Sequence, residues 1–320
     1  MYLLLVYAWQ TCLIHGTKNG LCSIILFFLF NSGQAQLLSS DYLKLAETTY
    51  QEKKYPEALE YYNKAIDLGA SNAEVYFKRG LVKFYLKLDT EAINDYTKSL
   101  ELNPGNYDAY YSRGLSQFYL KEYQSAVEDF NRSLSLKGNH SNCYAFRGAA
   151  YFYLGKDKEC IEDETKAMWY DKKNVYAYYY RGLARYQLME NWGVIADMTK
   201  AIGLKENFEY YYYRGLAKYE VKDYKGGMQD ASMAIRLKPS FAPAYLERAM
   251  CLIVEGDDEN AIKDFTKSLE LKPDQAKAYH YRGLAKKYQA DTTGACEDLK
   301  KAKELGFVKS GEELVKINCK

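Results

Sequence analysis

The stretch "YDAYYSRGLSQFYLKEYQSAVEDFNRSLSLKGNH", Tyr107 to His140, decides how this chain folds. Its first half places Tyr110, Gly114 and Phe118 at helical spacing, and its second half does the same with Ala126, Phe130 and Ser133. "KEY" interrupts the two patterns and "KGNH" closes the unit. Spacings of three and four, rather than two, predict two short helices in a hairpin. The stretch also recurs. Arg-Gly pairs fall at 79-80, 113-114, 147-148, 181-182, 214-215 and 282-283, so most steps are 34 residues. A period of this size fixes the architecture before any single residue is weighed.

Eight units can be read, starting at Ser39, Ala73, Tyr107, Ser141, Val175, Phe208, Ala242 and Ala276. Position 4 is tyrosine in all of them: Tyr42, Tyr76, Tyr110, Tyr144, Tyr178, Tyr211, Tyr245 and Tyr279. Position 8 is Gly or Ala, position 20 is small or apolar, and position 27 is Ala or Ser. Small side chains let two helix backbones approach, and the position-4 ring is expected to fill the gap that remains.

This pattern resembles the tetratricopeptide repeat family over residues 39–309. Pro104, Pro239 and Pro273 stand where that family often ends its second helix. The resemblance implies an all-α, right-handed superhelical solenoid of helix-turn-helix repeats. The repeats would span 39–72, 73–106, 107–140, 141–174, 175–207, 208–241, 242–275 and 276–309, followed by a C-terminal capping helix at 310–320. The chain departs from the family in having Arg where Leu is common at position 7.

That departure is paired with another. Arg79, Arg113, Arg147, Arg181, Arg214, Arg248 and Arg282 occupy position 7, and Asp95, Asp129, Asp163, Asp197, Asp230, Asp264 and Asp298 occupy position 23. The first unit has neither charge, with Leu45 and Tyr61 in their place. Charges that are present together and absent together predict a structural Arg-Asp pair bridging the two helices of each repeat.

The first helix of each repeat is expected, by the resemblance, to line the concave side, with positions 2, 5, 9, 12 and 13 facing a ligand. Here those positions supply Phe77, Tyr85, Tyr111, Tyr119, Tyr153, Tyr176, Tyr179, Tyr212, His280 and Tyr288 as candidate peptide-binding residues. An aromatic, apolar groove with few charges suits recognition, because tyrosine offers large rigid area and one hydrogen-bonding tip. The same rings could instead pack between neighbouring repeats. The Lys and Asn set with which some relatives clamp a peptide carboxylate is missing.

The ends carry their own signals. "LCSIILFFLF", Leu21 to Phe30, follows Lys18 and precedes Gly33-x-Ala35. A basic residue, a short apolar run and small-x-small resemble a secretory signal peptide spanning residues 1–35, with Gln36 first in the mature chain. Export to the periplasm or outside the cell is expected, with a retained membrane anchor as the alternative. At the other end, position 21 is apolar in every second helix until Cys296. "SGEELVKINCK" then gives a short amphipathic helix with Leu314, Val315 and Ile317. Aligned as the start of another repeat, it places Cys319 opposite Cys296, which predicts a disulfide between them. Cys143, Cys160 and Cys251 are expected to be free core residues.

Composition excludes other classes. With 44 basic and 42 acidic residues the net charge is +2, and no basic stripe points to nucleic acid. Only 5 prolines and 16% aromatic residues argue against disorder. No CxxC spacing or histidine cluster suggests a metal, and no nucleophile has a base beside it. The sequence therefore reads as a non-enzymatic scaffold that binds a protein or peptide. No cofactor, metal, nucleic acid or small-molecule substrate is expected. The alternative is a structural or assembly subunit of the cell envelope that uses its edges and convex face.

Overall fold

The computed structural model describes the backbone of residues 20–319 and the side chains of residues 36–319. The expected leader falls on residues 1–19, which lie outside the described residues, and on residues 20–35, of which the backbone alone is described. The chain divides after Gly138 into two compact units, Met1–Gly138 and Asn139–Lys320.

The first unit contains three hairpins: α1 (Gly20–Gln51) with α2 (Tyr55–Asp67), α3 (Ala73–Tyr85) with α4 (Asp89–Leu102), and α5 (Tyr107–Tyr119) with α6 (Tyr123–Leu136). The second unit contains five. These are α7 (Ser141–Tyr153) with α8 (Asp157–Tyr170), α9 (Val175–Gln187) with α10 (Asn191–Leu204), α11 (Phe208–Glu220) with α12 (Tyr224–Leu237), α13 (Ala242–Glu255) with α14 (Asp258–Leu271), and α15 (Ala276–Tyr288) with α16 (Thr292–Glu304). A last helix, α17 (Lys309–Lys316), packs on α16. Within each unit, helices two apart in sequence also touch, so the first helices of successive hairpins lie side by side. Among the described residues there is no strand, and no helix is long and apolar enough to cross a membrane.

Local chemistry sets the helix ends. Asn72, Asn106, Asn174 and Asn207 cap first helices by accepting a backbone N–H, from Val75, Ala109, Ala177 and Glu209 respectively. Between the two helices of a hairpin one residue adopts a left-handed conformation. Gly155 (φ 71°) and Gly256 (φ 81°) do so freely, while Lys87 (φ 63°) and Met189 (φ 58°) carry a Cβ there.

The gap over the position-8 glycine is closed in a way that corrects the expectation for position 4. A Cβ on Gly80 would lie 2.7 Å from the ring of Tyr96, one on Gly114 2.8 Å from Phe130, and one on Gly182 2.5 Å from Met198. Tyr96, Phe130 and Met198 are all at position 24 of their repeats and are fully buried. Of the position-4 tyrosines only Tyr211 is buried; the other seven are half-buried. Tyr76, Tyr110, Tyr144, Tyr211, Tyr245 and Tyr279 serve as shelves for the position-7 arginines: the Arg113 guanidinium lies 5.7 Å from the centre of the Tyr110 ring, and Arg282 lies 5.5 Å from that of Tyr279.

Candidate interaction face

Each position-7 arginine meets the aspartate 16 residues on through two parallel hydrogen bonds, for example Arg113 Nε to Asp129 Oδ2 and Nη2 to Oδ1, both at 2.7 Å. The other six pairs, Arg79–Asp95, Arg147–Asp163, Arg181–Asp197, Arg214–Asp230, Arg248–Asp264 and Arg282–Asp298, have the same geometry. The aspartates are buried, and the paired carboxylate holds the guanidinium of Arg113 and Arg214 above its ordinary pKa. The arginines also do something the sequence did not announce. Nη1 donates to position 25 of the preceding repeat, as in Arg79 to Asn63 (2.9 Å), Arg181 to Thr165 (3.1 Å) and Arg282 to Thr266 (3.0 Å). In four repeats a second cation, at position 11, reaches the same aspartate: Lys83, Arg185, Lys218 and Lys286.

The candidate peptide-binding residues divide into three groups. Phe77 and Tyr111 are half-buried and lean on the position-24 rings of Tyr96 and Phe130, each with centroids 6.0 Å apart. Tyr179 and Tyr212 are also half-buried, and Tyr179 bridges to the next repeat. Tyr179 packs 5.1 Å from Tyr210 and donates to Glu209 Oε2 at 3.3 Å, and Tyr212 meets Phe241 at 5.1 Å. Tyr85, Tyr119, Tyr153, Tyr176 and Tyr288 are the open members, each about half exposed or more. His280 leaves the set. It is 4% exposed, lies against Phe307 (4.5 Å) and shares a hydrogen bond with Ser310 Oγ (2.9 Å), so the C-terminal segment covers it.

In the first unit Tyr85 stacks on Tyr55 at 4.8 Å, and Tyr119 continues the row through Phe84 at 5.8 Å. The second unit has a denser sheet of rings. Tyr153 meets Tyr180 (6.1 Å), Tyr180 meets Tyr179 (5.2 Å), and Tyr179 meets Tyr213 (6.3 Å). Tyr213 in turn meets Tyr186 (5.8 Å) and Tyr212 (5.3 Å). Burial pushes the phenols of Tyr179, Tyr180, Tyr186, Tyr212 and Tyr213 up, helped by the negative charge of Glu209 on Tyr179 and Tyr213, and of Glu220 on Tyr186. Tyr180, Tyr186 and Tyr213 were not singled out in the sequence, although their 34-residue relation to other aromatic positions was a usable signal.

Two buried acids were also missed. Glu164 is 0% exposed and stands at position 24, where the other repeats place Tyr62, Tyr96, Phe130, Met198, Ala231, Phe265 and Leu299. Glu247 is 4% exposed and fills the space that small Ala231 leaves over Gly215. Neither carboxyl has a hydrogen-bond partner among the described residues. Burial, with Asp163 beside Glu164 and Asp230 beside Glu247, raises both well above the usual carboxylate range. Both therefore favour the neutral form more than an exposed carboxyl does.

At the C-terminus Cys296 and Cys319 form a disulfide with Cα atoms 5.6 Å apart. Cys143, Cys160 and Cys251 are buried thiols, and burial pushes that of Cys251 up to about 12. Ser310 of α17 is buried, whereas Val315, one of the apolar residues of that amphipathic helix, is 80% exposed. The short helix turns it outward because Ser310 and Phe307 make the contact with His280. Among the described residues no three His, Cys, Asp or Glu side chains gather as metal ligands would.

Sequence profiles described as TPR or tetratricopeptide repeats match residues 47–87, 73–106, 107–140 and 242–275. The chain is a tetratricopeptide repeat protein. No curated protein matches its sequence. Among solved structures, a tetratricopeptide protein from Parabacteroides merdae is 17% identical with a TM-score of 0.56, covering 78% of this chain and 99% of its own. The C-terminal part of a TPR protein from Cytophaga hutchinsonii is 22% identical with a TM-score of 0.57, covering 72% and 95%. YrrB, described as a TPR protein with an unusual peptide-binding site, is 21% identical with a TM-score of 0.51, covering 56% and 93%. At these identities the shared property is the tetratricopeptide fold.

Proposed function

We propose that this tetratricopeptide chain is a non-enzymatic scaffold that binds a protein or peptide along the face formed by its first helices. The observation that carries this reading is the run of tyrosine rings from Tyr153 to Tyr212, which stays half-open where helices usually bury rings. Tyr153 is 49% and Tyr176 is 52% exposed. Rigid rings with a polar tip recur at recognition surfaces, and a few central anchors carry most binding energy. The peptide-binding description of YrrB is consistent with this use of the fold. The test is recovery of a partner from the native envelope fraction. Tyr153→Ala/Tyr176→Ala should lose it while circular dichroism stays unchanged, and equal recovery by the folded variant would reject the face.

A second reading rests on Trp192 and Trp169, which belong to second helices and are 73% and 74% exposed. Such residues suit an assembly contact made away from the first-helix face. Loss of partner with Trp192→Ala, but not with the tyrosine variant, would favour it.

We also propose export with cleavage before Gln36. The apolar run from Leu21 to Phe30 and the Gly33-x-Ala35 site support it, as does a disulfide of the kind that persists in oxidising compartments. N-terminal sequencing of the native protein should begin at Gln36, and an intact leader would reject the proposal.

A further inference from the structure

The charges on the first helices of the second unit are distributed unevenly. Helices α7, α9, α11 and α13 carry six cations: Arg147, Arg181, Arg185, Arg214, Lys218 and Arg248. All six are spent on second-helix aspartates, namely Asp163, Asp197, Asp230 and Asp264. The same four helices carry the carboxyl groups of Glu209, Glu220, Glu247 and Glu255. Among the described residues none of these four has a lysine or arginine partner. Glu209, Glu220 and Glu255, which are not buried, therefore leave these four helices with an excess of unpaired negative charge, although the whole chain is close to neutral.

The rings repeat the asymmetry. Position-4 rings such as Tyr144, Tyr211 and Tyr245 each have an arginine of their own repeat over the ring. Among the described residues no cation lies over Tyr179, Tyr180, Tyr186, Tyr212 or Tyr213, which meet other rings edge to face instead. Beside them Glu247 is buried with both carboxyl oxygens unpartnered.

We propose that this tyrosine face, between α7 and α13, docks a basic segment of a partner, with lysine or arginine side chains set over the rings and beside Glu209 and Glu220. Tyrosine faces attract cations through the ring quadrupole, and the attraction strengthens as the site loses water. Flanking carboxylates add charge complementarity and set the choice of partner. The proposal rests on the scaffold reading above and names the chemistry of its ligand.

The test uses the full chain and three fluorescein-labelled dodecapeptides, alternating serine with arginine, glutamine or glutamate. Anisotropy should show binding of the arginine peptide and a strong loss of affinity for the other two. Glu209→Gln/Glu220→Gln and Tyr153→Ala/Tyr176→Ala should each weaken it by roughly fivefold or more. Glu162→Gln, an exposed carboxylate on α8, should leave it unchanged. Raising salt should weaken the wild type more than the glutamine double variant. Equal affinity for all three peptides, or equal sensitivity to Glu162→Gln, overturns the proposal. If a partner recovered from the native fraction needs Tyr153 and Tyr176 but binds through a neutral or acidic segment, the scaffold reading survives and this one falls.

Discussion

Arg248 holds Asp264 through Nε to Oδ2 and Nη2 to Oδ1, both at 2.7 Å, and reaches back with Nη1 to Ser232 Oγ at 3.1 Å. Leu252 stands at position 11 of this repeat, where Lys218 gives Asp230 a second cation at 2.8 Å. Removing Arg248 leaves a largely buried carboxylate without its counter-ion, at a cost of about 3–5 kcal/mol. Arg214→Ala should cost clearly less, because Lys218 remains. Urea denaturation of the two variants checks the order, and an equal loss would mean that the position-11 cation does not compensate.

The position-24 residues should be the costly ones to truncate. Phe265 is fully buried, and Phe265→Ala should destabilise by about 3–5 kcal/mol. Tyr245 is half-buried with its hydroxyl donating to the Pro239 carbonyl at 3.1 Å, so Tyr245→Ala should cost less. Thermal melts of both variants would show the difference, and the reverse order would restore position 4 as the core plug.

Glu164 and Glu247 predict a dependence on pH. Both folded values lie above the unfolded carboxyl value of about 4.3. Their contribution to stability is therefore complete below that value, and it is lost as pH rises through the raised folded values. Asp163, Asp197, Arg181 and Cys160 surround Glu164, and Asp230 faces Glu247. From about pH 4.5 to 8 the wild-type Tm should fall relative to that of Glu164→Gln/Glu247→Gln. Parallel curves for the two proteins would count against neutral packing.

The Cys296–Cys319 bond closes a segment with a sequence separation of 23 residues. On the loop-entropy view it contributes roughly 3 kcal/mol to the C-terminal end. Cys319→Ser should raise hydrogen exchange in α17 and uncover His280, while the hairpins before α15 keep their protection. Unchanged exchange in α17 would show that Ser310 and Phe307 hold the helix without the bond.

The period was legible because each repeat restates it, and small residues at positions 8, 20 and 27 admit only close-packed helices. The plug was harder to see. Position 4 is tyrosine in every unit, whereas position 24 varies among Tyr, Phe, Met, Leu, Ala and Glu. What closes a core gap is volume, and volume can be kept by many side chains, so invariance marked the arginine shelf instead. His280 was misplaced because its cover comes from beyond the helix pair of its repeat: Phe307 follows α16, and Ser310 belongs to α17. Glu164 was visible as the lone carboxyl in an apolar column, but only its burial reveals that it favours the uncharged form.

The arginine's backward bond belongs to two repeats at once: the guanidinium to one and the position-25 oxygen to the one before. The fifth repeat is a residue shorter than its neighbours, yet Arg214 still reaches Thr199 at 3.1 Å, across 15 residues instead of 16. The joint tolerates a change of length in the turn that separates it. Copying or excising an interior block of the second unit therefore keeps a donor and an acceptor at the new seam; the first repeat, with Leu45 at position 7, and the last, with Lys300 at position 25, are the exceptions. The array can grow or shrink by gene duplication without having to reinvent how its parts are fastened.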